Sequence, residues 1–233
     1  GYSGVEDQRR FVEIALKTPD FAILEGPPGS GKTAVITEII LRAIEKDQRV
    51  LLCASTHVAV DNVVRRLKGD SAPFKDEVQL VRVGDEAKLD QFAAKYSLER
   101  RLDTEMKGLK QDLGRIKEPT DSQKILRDSL SKGDSHDIMR RIILDSAQVV
   151  CGTTVGILQL PEIKKHDYFG RPVESRFDML ILDEASKTTF SEFIVPAMHA
   201  KKWIIVGDCR QLSPFLNQDE IETNLAAAFG RSL

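Results

Sequence analysis

At 233 residues the chain is long enough to bury a full core, either as one large domain or as one domain with a sizeable insertion. Its 41% hydrophobic and 30% charged residues describe an ordinary globular protein, and a net charge of −2 excludes a globally basic nucleic-acid coat while leaving room for a local basic groove. No apolar run approaches the ~20 residues of a membrane span and no secretory segment is present, so no membrane association is expected.

Residues 5–17 place Val5, Phe11, Val12, Ala15 and Leu16 on one helical stripe, stopped by Thr18-Pro19-Asp20. Next comes an apolar strand, 21–24, the stretch Gly26-Pro27-Pro28-Gly29-Ser30-Gly31-Lys32-Thr33, and an apolar-periodic helix over 34–44. A G-x-x-x-x-G-K-[ST] run between a strand and a helix is a phosphate loop. A triphosphate carries about three to four negative charges, best met by inward-pointing backbone N–H groups and a helix N-terminus. Glycines at 26, 29 and 31 let the backbone approach without a Cβ. Lys32 is expected to reach the β- and γ-phosphates and the Thr33 hydroxyl to ligate Mg²⁺, which makes ATP and Mg²⁺ the expected ligands.

Further strands are predicted at Val50–Ala54, 78–83, 148–151, 179–182 and 203–206, with helices between them. This alternation predicts an α/β fold of the P-loop NTPase type, a parallel sheet with helices on both faces and phosphate ligands at the carboxyl ends of the strands. The alternation breaks over residues 85–145, where Leu102, Met106, Leu109, Leu113 and Ile116 form one helical seam. Ile125, Leu126 and Leu130 supply a return segment, and Ile138, Ile142 and Ile143 lead back to the core. We expect an inserted helical hairpin or subdomain within a nucleotide-binding domain made of 1–84 and 146–233. Its 13 Lys/Arg against 13 Asp/Glu favour a solvated stalk, with a surface for a protein partner, over a nucleic-acid arm.

The strand at 179–182 ends in Asp183-Glu184. Beside a phosphate loop, Asp183 would hold Mg²⁺ opposite Thr33, and Glu184 would orient and deprotonate the attacking water. The strand at 203–206 runs into Gly207-Asp208-Cys209-Arg210-Gln211-Leu212-Ser213-Pro214, and Gln211 could place an amide beside the γ-phosphate. Cys53, Cys151 and Cys209 have no metal-ligand spacing, nor do His57, His136, His166 and His199, so no metal besides nucleotide-bound Mg²⁺ is expected. An odd number of thiols fits a reducing cell interior, whether nuclear, cytoplasmic or bacterial.

Together the phosphate loop, Asp183-Glu184-Ala185-Ser186 and the 207–214 stretch resemble the superfamily 1 helicases. They are most similar to the class B group that includes the nonsense-mediated-decay RNA helicase. The resemblance covers nearly the whole chain and implies a RecA-like first motor domain that couples ATP hydrolysis to movement on, or unwinding of, single-stranded RNA or DNA. It assigns Gln8 to the adenine. It matches 51–62 and 150–156 to motifs that touch the nucleic-acid backbone, with Thr56, His57, Asn62, Thr153 and Thr154 as the contacts. It also accounts for a helical insertion between those motifs. Short hydroxyls beside backbone N–H groups suit phosphates and sugars, although threonine is equally common at strand ends and helix caps, and His57 could either stack on the strand or cap a helix. Lys164, Lys165, His166, Tyr168, Phe169 and Arg171 read either as a strand-gripping loop or, preferably, as a solvated one.

The resemblance also implies a second motor domain. A partner arginine is worth roughly 10³–10⁵ in rate in other phosphoryl-transfer systems, so the chain alone is expected to bind nucleotide, hydrolyse it slowly and not unwind. A coiled-coil chromosome ATPase lacks support, because no Leu-Ser-Gly-Gly-Gln-like signature occurs. A nucleotide-clamped regulatory domain without unwinding activity is the alternative.

Overall fold

The computed structural model describes residues 4–130, 133–164 and 176–211. In chain order the elements are α1 (Gly4–Lys17), β1 (Phe21–Glu25), α2 (Lys32–Ile44), β2 (Val50–Ala54), α3 (His57–Lys68), β3 (Leu80–Val83), α4 (Leu98–Arg115), α5 (Asp121–Ser129) and α6 (Gly133–Ser146), followed by β4 (Val149–Thr153), α7 (Thr154–Leu158), α8 (Pro161–Lys164), β5 (Phe177–Asp183), α9 (Phe190–Ala197) and β6 (Ala200–Gly207). The six strands form one sheet in the order β1-β6-β5-β2-β4-β3, and every pairing is parallel. This is the α/β P-loop fold, RecA-like in carrying β6 between the phosphate-loop strand and the strand that ends in Asp183.

Side chains of a strand alternate between its faces, so the inner strands feed two cores, whereas the edge strand β1 feeds one and leaves Phe21 and Ile23 exposed. Val50, Leu52 and Ala54 join Val149, Met179 and Ile204 in the core under α1, α2 and α3. Leu51 and Cys53 join Val81, Val150 and Leu180 in the opposite core, together with Leu98, Leu102, Met106 and Leu113 of α4 and Ile143 and Leu144 of α6. The α4 seam is therefore the predicted one, and it packs into the sheet's own core. On α6 the buried face runs through Ile143 with half-buried Met139, while Ile138 and Ile142 are 60% and 56% exposed, contrary to expectation. A four-residue step keeps 139 and 143 on one helical face, and 138 and 142 lie on the neighbouring one.

All six predicted strands exist; β2 has the predicted bounds, Val50–Ala54, and the last four have shifted ends. β3 begins at Leu80 because Val78 closes a turn onto Phe74 O. β6 begins three residues before Trp203 because Lys202 is buried in it, its ammonium donating to Ala15 O and Leu16 O at 3.0 and 2.9 Å. A lysine that hides its stem and satisfies its head on helix-end carbonyls does not read as a strand residue. Cys53 and Cys151 are buried free thiols, and burial pushes both up, Cys151 to about 12. Among the described residues no helix is long and apolar enough to cross a membrane. The basic stretch from Lys165 to Arg171, and Leu212, Ser213 and Pro214, lie outside the described residues.

Candidate functional site

The loop after β1 turns on two glycines. Gly29 and Gly31 have φ of 79° and 85°, the left-handed region, and Gly31 is the N-cap of α2. At Gly26 a Cβ would stand 2.6 Å from Ser30 Oγ, so this position is closed by the loop's own packing. Gly26 N donates to Gly207 O at 3.1 Å, which ties the loop to the end of β6. Lys32, at the first turn of α2, folds over the loop and donates from Nζ to Gly26 O and, at 2.9 Å, to Pro27 O. Gln8 reaches up from α1 and donates from Nε2 to Ser30 O at 2.8 Å, so the predicted adenine reader abuts the phosphate loop.

Register brings the acidic pair to the same place. β6 aligns Gly207 with Glu25, and β5 lies beside it, so the strand tips of β1, β6 and β5 follow one another along the carboxyl edge. Pro28, Gly29, Gly31, Lys32, Thr33, Asp183, Glu184, Asp208 and Gln211 line one cleft there, of about 510 Å³, with Thr56, Asn62 and Arg66 from the α3 side. Asp183 is 6% exposed, its Oδ1 accepts the Glu184 N–H at 2.8 Å, and burial lifts its carboxyl above the ordinary aspartate range. Glu184 sits at φ 52°, uncommon for a residue with a Cβ. Its Oε2 accepts the Ser55 and Thr56 hydroxyls, both at 2.8 Å, and its Oε1 accepts Lys187 Nζ at 3.1 Å. Burial works to raise its pKa, but those three hydrogen bonds prevail and hold the carboxyl below the usual glutamate range. Gln211 N donates to Asp208 O at 3.0 Å, closing a turn that carries the amide into the cleft.

A family model described as an AAA domain matches residues 4–138 and 107–218. The chain belongs to this family. It is 32% identical to the DNA-binding protein SMUBP-2 of Mesocricetus auratus, over 89% of this chain and 21% of that protein. It is 28% identical to the DNA replication ATP-dependent helicase/nuclease DNA2 of Saccharomyces cerevisiae, over 91% of this chain and 11% of that one. The Regulator of nonsense transcripts 1 homolog of Arabidopsis thaliana is also 28% identical, over 90% and 16%. The chain thus spans about a tenth to a fifth of these relatives. Family and relatives together support the resemblance to a superfamily 1 helicase motor domain.

The residues expected at the nucleic acid divide between two clefts of this motor domain. Thr56 and Asn62 line the nucleotide cleft. His57 and Thr153 line a second cleft of about 830 Å³ beyond the tips of β2, β3 and β4, with Ser55, Gly84, Asp85, Lys88 and Arg140. Thr153 caps α7, its hydroxyl accepting Gly156 N at 3.0 Å, and Thr154 is only 2% exposed, so its hydroxyl is turned inward. Behind His57 lies a group with no sequence signal. Arg82 of β3 is fully buried; it donates from Nε to Asp61 Oδ1 at 2.7 Å and from Nη1 to Val83 O at 2.6 Å, and Nη2 stands 3.2 Å from His57 Nδ1. Burial and the Arg82 charge lower the imidazole pKa. A guanidinium can only donate, so Nδ1 accepts and the His57 proton sits on Nε2.

Proposed function

We propose that the chain is the ATP-hydrolysing motor domain of a helicase that moves on single-stranded RNA or DNA and is completed by a second motor domain. The observation that carries this reading is the convergence of Lys32, Thr33, Asp183, Glu184 and Gln211 on one cleft. The loop and the α2 N-terminus bind the triphosphate, with the Lys32 ammonium exchanging its loop carbonyls for phosphate oxygens. Gln8 holds the loop and faces the base. Glu184 is anionic at neutral pH and serves as the base that takes a proton from the attacking water. Gln211 bears on the γ-phosphate and reports its presence.

Thr33 and Asp183 suit Mg²⁺. The pair offers hard oxygens, and the Asp183 carboxyl is buried and raised, a condition that a divalent cation beside it reverses. When bound, Mg²⁺ neutralises charge on the β- and γ-phosphate oxygens. The second cleft takes the nucleic-acid backbone at His57 and Thr153 with the Thr154 amide, while Thr56 and Asn62 stand between backbone and nucleotide. Residues 85–145 form an insertion that also offers a protein-binding surface. The motor works in the cell interior, where its nucleotide and polymer are found.

ATP turnover of the full-length parent protein, second motor domain included, with and without single-stranded RNA or DNA tests this reading. Stimulation by at least one polymer is expected. Glu184→Gln should lower the stimulated rate about 10²- to 10³-fold with nucleotide affinity retained, and Lys32→Ala should abolish it. Unstimulated turnover, or a Glu184→Gln variant as fast as the wild type, would refute it.

A further inference from the structure

Edge strand β3 has an opening at each end. Its carboxyl end meets the second cleft through Val83 and Gly84. Its amino end, roughly 13 Å away along the strand, opens on a third cleft of about 270 Å³ lined by Lys68, Lys95, Tyr96, Arg100, Arg101 and Glu105. The first turn of α4 runs between the two, with Leu98 and Glu99 on the second cleft and Arg100 and Arg101 on the third. Charges balance over residues 85–145 as a whole, but here the cations gather. Neighbouring cations are paired: Arg65 with Asp90, Lys75 with Asp70, Arg82 with Asp61 and Arg100 with Glu86. Among the described residues Lys68, Lys95 and Arg101 have no such carboxylate. Lys68 Nζ donates to Lys75 O and lies 5.4 Å from the centre of the Tyr96 ring, Lys95 Nζ lies 5.5 Å from that of Phe92, and Arg101 Nη2 donates to the neutral Gln79 amide oxygen at 3.5 Å. Burial lowers the Lys68 pKa, and the Arg101 charge adds to that fall against the opposing pull of Asp76. Like charges held across a half-buried cleft repel, and an anion between them turns that repulsion into attraction.

We propose that the third cleft is a phosphate site on the polymer's path, where Lys68, Lys95 and Arg101 hold the phosphodiester backbone of the strand that fills the second cleft once it has crossed the first turn of α4. The proposal rests on the motor reading above and adds a grip at the opposite end of β3. Ammonium and guanidinium groups only donate, which suits phosphate oxygens and reads no base. The shared wall of α4 favours one polymer spanning both clefts over a separate acidic protein segment in the third. Glu105 stands on the lining without an ion pair of its own, so it tempers the site without closing it. The site is remote from the nucleotide cleft, whose lining includes none of these residues.

The test measures oligonucleotide affinity against salt in the full-length parent protein, for the wild type, Lys68→Gln/Arg101→Gln and the charge-preserving Lys68→Arg/Arg101→Lys. Each phosphate contact on a single strand contributes about 0.7 to the slope of log affinity against log salt, so the neutral double variant should be shallower by about 1.4. Its affinity should fall roughly tenfold at low salt and converge with the wild type at high salt, while the charge-preserving variant keeps the wild-type slope. Polymer-free ATP turnover should be unchanged in both. Arg101→Gln should leave the urea midpoint equal to or above that of the wild type, because it removes a repulsion. A lower midpoint with an unchanged slope would make Arg101 a structural residue and overturn the proposal. If the wild type binds and is stimulated but the neutral variant keeps its slope, the third cleft lies off the path and the motor reading stands. Polyglutamate binding that the neutral variant loses, with the oligonucleotide slope unmoved, would give the cleft to an acidic protein segment and equally overturn the proposal. If no polymer binds or stimulates the wild type, the motor reading fails and takes the phosphate site with it. Should the double variant not fold, Arg101→Gln alone decides, with a slope shallower by about 0.7.

Discussion

The two clefts along the carboxyl edge of the sheet are built from different materials. The nucleotide cleft is framed by backbone. Its loop depends on Gly29 and Gly31 in left-handed conformations, on the Gly26 N–H to Gly207 O bond, and on the first turn of α2. The second cleft is framed by side chains. Its wall at His57 stands on a buried ion pair between β3 and α3, Arg82 with Asp61, whose other oxygen accepts Asp90 N at 3.1 Å. A backbone frame is specified by a short contiguous run of residues. A side-chain frame needs partners 21 and 29 positions apart and appears only once the strands are in register.

The sharpest way to break this comparison is to remove the ion pair. Arg82→Met should cost about 3–5 kcal/mol in chemical denaturation, because it leaves the Asp61 carboxylate buried without its partner. Arg82→Met/Asp61→Leu should recover most of that loss, since no uncompensated charge remains. In the protein that stays folded, polymer affinity should fall with His57 unsupported, and nucleotide affinity should hold. Equal loss of both affinities would mean that the clefts share one frame.

A smaller perturbation strikes the backbone frame. Gly31→Ala forces a Cβ at φ 85° to within 2.6 Å of Gln8 Nε2, displacing the side chain that bonds Ser30 O. We expect about 1–2 kcal/mol of strain and roughly a tenfold loss of affinity for a fluorescent nucleotide. At Gly29 nothing lies within 4 Å of the added carbon, so Gly29→Ala should show only the conformational penalty, about 1 kcal/mol, and a milder affinity loss. Indistinguishable titrations for the two variants would show that Gln8 does not brace the loop.

The same contrast explains what was legible in the sequence. The phosphate loop could be read because its spelling states backbone requirements, and the strands from their short apolar runs, those of β2 to β5 being buried on both faces while β1 leaves Phe21 and Ile23 exposed. Asp183 and Glu184 could be read from their place at a strand end. The partners of Glu184 could not, because the Ser55 and Thr56 hydroxyls find it only through the Ala54 to Asp183 register. Arg82 passes for the outward residue of an alternating strand, yet it is fully buried, because Asp61, Val83 O and His57 supply the polar partners that water would otherwise provide. The exposed face of α6 was misread for a related reason: isoleucines at 138 and 142 signal a helical stripe but not which stripe the rest of the fold covers.

The smallest effect is expected far from both clefts, and it separates general stability from site architecture. Asp178 lies near the amino end of β5, where Oδ2 accepts Arg49 N at 2.9 Å and Oδ1 accepts Lys201 Nζ at 2.6 Å. Burial works to raise its pKa, yet the Lys201 and Arg49 hydrogen bonds outweigh it and hold the carboxyl below the ordinary aspartate value. A folded-state pKa below the unfolded one means that the unfolded chain binds the proton more readily. The stabilisation is therefore complete above the unfolded value of about 4 and is lost as pH falls through the lower folded value. With the side chain 27% exposed and its ammonium partner well exposed, Asp178→Asn should cost only about 0.5–1 kcal/mol at neutral pH. Urea midpoints measured at neutral pH and in acid below the folded value should converge for variant and wild type. Both ligand affinities at neutral pH should match the wild type. A gap that persists into acid would assign the effect to packing around Arg49 instead of to the carboxylate charge.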